Sequence, residues 1–395
     1  MSGDAALIMH REDMDGPGTH VLIIGIGSYD YLVGGRLENR EVAAGMRQLP
    51  AAARSARAAA DWFLDAFADD RRPLASLALV LSEPLVARYA HHKANLTGQD
   101  LPNGDMEGVA EALDEWVQRS SSDRRNLAVL YFVGHGLHAG SSILLCRDYG
   151  KVKGRRFEWA INLDDLLVAL ATRSVDEQLV MVDACRNADV TDQTLSRGGR
   201  AGRNILAHEP LDLRDGMEAR QSIHFATSKY TEAWAAEDGV SLFSEALLQA
   251  LSGGGAQLQH GWQVATGGLQ EALTAYVRRA AAEAGLEQVP DRQRAADFII
   301  CRPQSLMVPV RVTFAPANLW NDRVRLVVEG DAGPVVCGPE LAYGVSGWTL
   351  ALPKGGYTFK VTFEGVEAYE GTSARETVVP PFAPIDIALR LRENG

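Results

Sequence analysis

The sequence predicts an α/β fold, a doubly wound and mostly parallel sheet, followed by a C-terminal all-β sandwich domain. Between residues 21 and 301, short apolar runs typical of buried parallel strands alternate with segments of helical periodicity. From residue 308 onward, apolar residues recur at every second position, and clusters of Gly and Pro separate the runs. At 395 residues, the chain is also too long for one typical domain.

Each element follows from its local pattern. Helix 51–67 is rich in Ala and has an apolar face, and Asn162 is suited to cap a helix that begins at residue 163. Residues 28–50 and 91–104 show no clear period and are expected to be loops. The predicted strands are 21–27, 74–81, 127–135, 143–146, 179–185, 222–227 and 297–301. The predicted helices are 51–67, 106–117, 163–171, 242–251 and 269–282.

These elements predict three parts of the chain. Residues 1–19 are of mixed polarity and are expected to form a flexible arm. Residues 20–302 are expected to form the α/β domain, interrupted at 188–220 by a loop in which the apolar pattern vanishes. Residues 306–395 are expected to form the sandwich, which carries no chemistry that we can name.

Composition narrows the class of protein. The chain is 46% hydrophobic and 23% charged, as in ordinary globular proteins, and its net charge of −12 gives no support for a nucleic-acid partner. Four Cys are present without a Cys-x-x-Cys pair, so neither a zinc motif nor a disulfide scaffold is indicated. No apolar run is long enough to span a bilayer. We therefore expect a cytoplasmic protein with reduced thiols and no membrane partner.

Two predicted strands end on residues with nucleophilic and basic chemistry. One strand ends at His135 between two glycines, and another ends at Cys185, 50 positions later. The carboxyl ends of parallel strands border the ligand cleft of open α/β sheets, so both side chains are expected to lie at that edge. A thiolate nucleophile needs a nearby base, and acyl transfer needs backbone N–H donors for the oxyanion. Gly136 and Cys185 itself are the expected donors. Taken alone, either residue would be explained as a buried thiol or the polar end of a strand.

The residues at these two strand ends resemble a known family. Residues 131–136 (Tyr-Phe-Val-Gly-His-Gly) and 182–186 (Val-Asp-Ala-Cys-Arg) are similar to the two catalytic motifs of caspase-like cysteine peptidases, the clan that includes metacaspases and paracaspases. The resemblance extends over about residues 20–302 and implies the caspase-like fold. It also implies His135 as general base, Cys185 as nucleophile and Gly136 as an oxyanion donor.

The resemblance also predicts the substrate. Asp183 lies two residues before Cys185, where metacaspases and paracaspases carry an Asp that binds a basic P1 side chain, the residue before the cut bond. Glu232 resembles a second acid of the paracaspase S1 pocket, although a solvated loop carboxylate is the alternative interpretation. The expected substrates are proteins with a basic P1 residue, Arg favoured over Lys. Many relatives carry an Asp early in the first helix, but residues 53–56 here contain no acid, so a two-acid pocket is expected.

No cofactor or metal is predicted. Some metacaspases bind calcium, but helix termini and surfaces explain the scattered acids of this chain more simply. His91 and His92 have no third ligand nearby in sequence. The acids considered were Asp69, Asp70, Asp148, Asp164 and Asp165.

The Arg- and Gly-rich loop suggests regulation by cleavage. Arg197, Arg200 and Arg203 lie among glycines after the Cys185 strand, where caspase relatives carry the linker between their subunits. Gly-rich exposed loops are common sites of proteolysis, and Asp183 would accept these arginines as P1 residues. We expect this loop to be cut by the enzyme itself or by an upstream protease. An upstream activating protease or a regulator is therefore an expected partner. A passive basic linker is the alternative.

Two other functions remain open from the sequence. One is a catalytically silent caspase-fold scaffold or interaction protein, against which the presence of both His135 and Cys185 argues. The other is a different hydrolytic or acyl-transfer enzyme that uses the same Cys and His.

Overall fold

The structure is a computed structural model, and it describes most of the chain. It describes residues 5–12, 14–138, 140–185, 201–206, 218–227, 239–315, 317–331, 333–339, 347–363, 369–370, 373–381, 383–388 and 390–391. The chain divides into two compact units, residues 1–248 with 273–302, and residues 249–272 with 303–395. Residues 249–272, which lie within the predicted α/β domain, therefore group with the C-terminal unit.

Strands and helices alternate through the first part of the chain. The first fifteen strands are β1 (Leu7–His10), β2 (Thr19–Ile26), β3 (Leu74–Ser82), β4 (Arg88–His91), β5 (Leu96–Asp100), β6 (Leu127–Val133), β7 (Gly136–His138), β8 (Ser142–Leu145), β9 (Ala160–Asn162), β10 (Glu177–Asp183), β11 (Arg220–Phe225), β12 (Ala256–Leu258), β13 (Trp262–Ala265), β14 (Asp291–Gln293) and β15 (Ile299–Cys301). The α-helices are α1 (Arg40–Ala43), α2 (Pro50–Asp65), α3 (Met106–Ser120), α4 (Leu163–Ala171), α5 (Leu242–Gln249) and α6 (Thr266–Glu283). No helix in these described stretches is both long and apolar enough to cross a membrane.

Seven of the described strands form the main sheet of the N-terminal unit, in the order β1-β3-β2-β6-β10-β11-β14. The five central strands run parallel, and the edge strands β1 and β14 run antiparallel to their neighbours. Within β6 and β10 almost every residue is buried, as expected of strands covered on both faces. The predicted mostly parallel α/β sheet is confirmed.

The helices lie on both faces of this sheet. Alternate residues of the central strands, such as Ile24, Phe132 and Val182, share one apolar cluster with side chains of α3 and α4. Residues of the other parity point to the opposite face, because successive strand side chains alternate. There Gly25 faces α2, and a Cβ built on it would lie only 2.5 Å from the Cβ of Ala56. The helical predictions and the Asn162 cap agree with the structure, since the Asn162 side chain accepts a hydrogen bond from Asp165 N–H.

Three segments predicted to lack regular structure contain elements. In the predicted arm, β1 pairs with β3, and Ala6 and Ile8 are buried. This strand has only four residues, too few to show a period. The first predicted loop contains α1, capped by the Asn39 side chain. The second contains most of a hairpin of β4 and β5, whose polar residues conceal strand alternation.

The C-terminal unit contains two sheets that share a core. The remaining strands are β16 (Met307–Ala315), β17 (Val324–Gly330), β18 (Gly333–Cys337), β19 (Gly347–Pro353), β20 (Gly355–Phe363), β21 (Tyr369–Glu370), β22 (Ser373–Val378), β23 (Ala383–Ala388) and β24 (Arg390–Leu391). One sheet has the order β19-β16-β23 and the other β18-β17-β20-β22. Inward residues of both sheets, with Trp348 fully buried among them, form one cluster. The predicted sandwich is confirmed.

Replacing Gly25 with Ala is expected to destabilise the N-terminal unit by about 1–3 kcal/mol, because an added methyl overpacks a filled interface. Thermal unfolding of the full chain measures this loss. Gly154→Ala is the matched control, since nothing lies within 4 Å of a Cβ built there. Equal melting temperatures for the two variants would contradict the close approach of α2 to β2.

Candidate active site

The parallel register of β6 and β10 brings the predicted catalytic residues to one edge of the sheet. Val133 pairs with Asp183, and the Gly134 amide extends the ladder by donating to the Asp183 carbonyl oxygen at 3.1 Å. His135 and Cys185 each lie two residues beyond that pair. The two strands therefore deliver both residues to the same level of the sheet.

Gly136 lets the two strand ends come close. A Cβ built on Gly136 would lie 2.6 Å from the Cys185 carbonyl oxygen and 3.0 Å from the Ala184 Cβ. Real Cβ atoms do not approach a carbonyl oxygen so closely, so a side chain here would push the two segments apart. The expected oxyanion donors, the amides of Gly136 and Cys185, thus belong to backbone segments in direct contact.

The hydrogen bonds of His135 decide which ring nitrogen can act as a base. Its Nε2 lies 2.7 Å from the carbonyl oxygen of Arg47, an atom that can only accept. Nε2 therefore carries the hydrogen, and in the neutral ring Nδ1 is the nitrogen free to accept a proton. Burial lowers the pKa of His135, and the bond to the Arg47 carbonyl opposes this shift only in part. The imidazole is therefore neutral near pH 7, the state a base requires.

The loop after β2 holds His135 from two sides. The phenol oxygen of Tyr29 accepts the backbone N–H of His135 at 2.7 Å, and the two rings lie 5.0 Å apart between centroids. Gln48 ties this loop together, because its side chain accepts from the Tyr29 amide and donates to the carbonyl oxygens of Tyr29 and Val33. The same loop presents the Arg47 carbonyl. The loop therefore orients both the backbone and the ring of His135.

Cys185 differs from the other three thiols in its exposure. Cys146, Cys301 and Cys337 are buried, whereas Cys185 is partly exposed. Burial raises the pKa of Cys146 and of Cys301, which keeps both as neutral thiols. Cys185 is therefore the thiol of this chain that a substrate can reach.

Asp183 is buried with a set of hydroxyl groups. The residue is 3% exposed, and its Oδ2 accepts hydrogen bonds from Tyr131, Ser241 and Ser244. The distances to Oδ2 are 3.3 Å from the Tyr131 oxygen and 2.9 Å from Ser244 Oγ. Burial raises the pKa of Asp183 to about 6, although these hydrogen bonds act in the opposite direction. The carboxyl is therefore ionised at pH 7 at a cost in stability.

Residues of α2 hold the backbone just before Ser244, at residues 239–241. Ser55 Oγ accepts the backbone N–H of Ser241 at 3.0 Å, and Arg54 donates through Nε to the Gly239 carbonyl oxygen at 2.9 Å. These two residues lie in the stretch of the first helix that lacks the acid of many relatives. Here this stretch supports the loop before α5 through hydrogen bonds.

The structure brings together four predicted site residues, His135, Gly136, Cys185 and Asp183. Glu232, Arg197 and Arg200 lie outside the described residues. Arg203 is exposed, and its backbone pairs with Ile161 beside β9.

Sequence reasoning missed the residues that support this set. They lie in loops and at the start of a helix. Only their positions in the sequence could have indicated them, since Tyr29 follows a parallel strand at the edge where His135 lies and Ser241 directly precedes a predicted helix. Among the residues that the structure describes, no cluster of His, Cys, Asp or Glu could hold a metal ion.

Replacing Asp183 with Asn is expected to stabilise the protein in a pH-dependent way. The folded-state pKa of Asp183 lies above its unfolded value, so the penalty is absent below the unfolded pKa and complete above about pH 6. A shift from 3.8 to about 6 corresponds to roughly 3 kcal/mol for this buried group. Melting temperatures of wild type and Asp183→Asn between about pH 4 and 8 measure the difference. A difference that stays constant with pH would contradict the raised pKa.

Comparison with known proteins gives the family of this chain. The sequence matches the caspase domain family (Peptidase_C14) over residues 19–296. Caspase-1 from Spodoptera frugiperda is 13% identical, with 72% of this chain and 95% of that chain covered and a TM-score of 0.37. Protein GSU0716 from Geobacter sulfurreducens is 12% identical, with coverages of 73% and 95% and a TM-score of 0.40. No curated protein matches. Because the family match spans more than half of the 395 residues, the chain belongs to the caspase domain family.

Proposed function

We propose that this protein is a cysteine endopeptidase that cleaves after basic residues, Arg favoured over Lys. One observation carries the proposal. His135 and Cys185 each lie two residues beyond a pair of residues in neighbouring parallel strands, and the His135 ring is held with Nδ1 free. The partly exposed thiol of Cys185 adds support.

Each group has a chemical role in the proposed reaction. Nδ1 of His135 accepts the proton of the Cys185 thiol, and the thiolate attacks the carbonyl carbon of the peptide. The amides of Gly136 and Cys185 donate to the oxyanion. The protonated imidazole then delivers its proton to the departing amine, leaving a thioester. Water, deprotonated by the neutral imidazole, hydrolyses the thioester and regenerates the thiol.

Asp183 supplies the charge that would select a basic P1 residue. It is ionised at pH 7, and no cation among the described residues lies within ion-pair distance of it. A buried carboxylate without a counter-charge favours a ligand that brings one. Glu232 is the second acid that we assign to this pocket.

The expected activity is cleavage after Arg and Lys in peptides, with little cleavage after citrulline, which has the shape of Arg without its charge. Asp183→Asn should lower kcat/KM for the Arg peptide by about 30-fold or more, because the guanidinium loses a buried partner. Assays with three peptides that differ only at P1 measure this.

Cys185→Ala and His135→Ala are the controls for the catalytic pair. The first should abolish cleavage and the second should nearly do so, while melting curves show that both remain folded. Undiminished turnover by Cys185→Ala would refute the mechanism, and a preference of the wild type for P1 Asp would refute the pocket assignment.

The loop after Cys185 is the site at which we propose regulatory cleavage. Its downstream end is fixed, because the Asn162 amide donates to the Arg203 carbonyl oxygen and Arg203 N–H donates to the Ala160 carbonyl oxygen, at 2.9 and 2.8 Å. The Asn162 side chain also donates to the Ala201 carbonyl oxygen at 2.9 Å. A backbone held this way is a poor protease substrate, so Arg197 and Arg200 are favoured over Arg203 as cut sites.

Purified wild type is expected to contain fragments ending at Arg197 or Arg200, and Cys185→Ala is expected to stay intact. Intact-mass analysis measures both. Adding wild type to Cys185→Ala tests cutting between molecules. If wild type turns over a peptide substrate but keeps its full-length mass, self-cleavage is contradicted. Cuts in Cys185→Ala to which no wild type has been added would indicate a separate protease.

A further inference from the structure

Asp183 has two carboxylate oxygens with different surroundings. Three hydroxyl groups bond to Oδ2, and none of the described residues donates to Oδ1. The hydroxyls come from separate elements: Tyr131 lies on β6, Ser244 lies on α5, and Ser241 directly precedes α5. All three residues are buried, with 0%, 1% and 6% exposure. Two elements therefore converge on one oxygen of one side chain.

The three hydroxyls form one hydrogen-bonded network with Oδ2 and with one another. Each hydroxyl has a single hydrogen. Ser241 Oγ accepts the Ser244 amide at 2.9 Å, which caps α5, and its own hydrogen has Oδ2 and Ser244 Oγ within reach. Ser244 donates to Oδ2 at 2.9 Å, and the Tyr131 oxygen lies 3.3 Å from Oδ2 and 2.5 Å from Ser244 Oγ. The three hydroxyls therefore share their hydrogens between Oδ2 and one another, and none of them bonds to Oδ1.

We propose that Ser241, Ser244 and Tyr131 are specificity-determining positioning residues, which saturate Oδ2 of Asp183 and so reserve Oδ1 for the cationic P1 side chain. This inference rests on the proposed peptidase function. The hydroxyls hold the carboxylate in one orientation and keep it ionised although it is buried. The ligand class is a guanidinium or an ammonium group, which brings the hydrogen donors that the described residues do not supply to Oδ1.

The other titratable and charged groups that the structure describes around Asp183 do not supply such a donor. His135 and Cys185 follow the same strand ends, and Arg54 on α2 donates to the Gly239 carbonyl oxygen. On β11, His224 pairs in register with Met181, and its Nε2 bonds to Ser222. The remaining charge on α5 is Glu245, which carries the same sign as Asp183.

The test measures kcat/KM for Arg-P1 and citrulline-P1 peptides as a function of pH. Tyr131→Phe removes only a hydroxyl, Ser244→Ala removes a direct donor, and Ser241→Thr keeps the hydroxyl that Ser241→Ala removes. We expect the Arg/citrulline ratio to fall about tenfold in Ser244→Ala and Ser241→Ala, less in Tyr131→Phe, and little in Ser241→Thr. Ser120→Ala is the control, because Ser120 is a buried serine of α3 whose hydroxyl donates to the Val117 carbonyl oxygen.

The pH profile separates positioning from a general structural effect. The hydroxyls lower the pKa of Asp183, so removing them should move the acid limb of the Arg-peptide profile to higher pH. The titration of His135 affects both peptides, so the difference between the two profiles isolates Asp183. In double variants that also carry Asp183→Asn, removing a hydroxyl should not lower the Arg/citrulline ratio any further.

Two failures are distinguishable. If wild type cleaves neither the Arg nor the Lys peptide, the proposed function fails and this inference fails with it. If wild type prefers Arg to citrulline but the hydroxyl variants keep its ratio and acid limb, only the inference about the hydroxyls is overturned. The inference would also be overturned if removing a hydroxyl lowered the Arg/citrulline ratio by the same factor in Asp183→Asn as in wild type, since the hydroxyls would then act elsewhere.

Discussion

The parallel pairing of β6 with β10 is the constraint on which the rest of the site depends. Its register sets Val133 beside Asp183, so that the next residues of both strands leave the sheet together. A shift by one residue would turn every side chain of a strand to the other face. Both strands are buried, which makes such a shift costly. The same register thus supports the core and aligns His135 with Cys185.

Close approach of the two strand ends is the second requirement, and Gly136 meets it. The backbone contact between Gly136 and Cys185 leaves no room for a side chain. The loop after β2 then completes the surroundings of His135, through the Tyr29 hydroxyl and the Arg47 carbonyl. The Tyr29 and Gln48 side chains make hydrogen bonds to backbone atoms here, so the geometry around the ring depends on the conformation of this loop and on these two side chains.

At Asp183, stability conflicts with the function that we propose for its charge. Burial disfavours its charge, and the surrounding hydroxyls reduce that penalty without removing it. Such uncompensated buried charge is found where a protein binds a charged ligand. The alternation of side chains along β10 places Asp183 on the face of the sheet that also carries α2 and α5. The hydroxyls of Ser241 and Ser244 and the supporting contact from Ser55 come from that face.

The sequence by itself determined the sheet, most of its helices and the sandwich, because buried strands and amphipathic helices have apolar periods that one chain displays directly. The ordered pair of strand ends at His135 and Cys185 was visible for the same reason. Tertiary structure alone decided which ring nitrogen of His135 is free and which oxygen of Asp183 is occupied. Those features depend on Arg47, Ser241 and Ser244. These residues are far from the two strand ends in the sequence, so the sequence does not show that they are in contact with them. The tertiary structure also revealed β1 and the β4–β5 hairpin, because short or polar strands gain stability from their partners and show little local pattern.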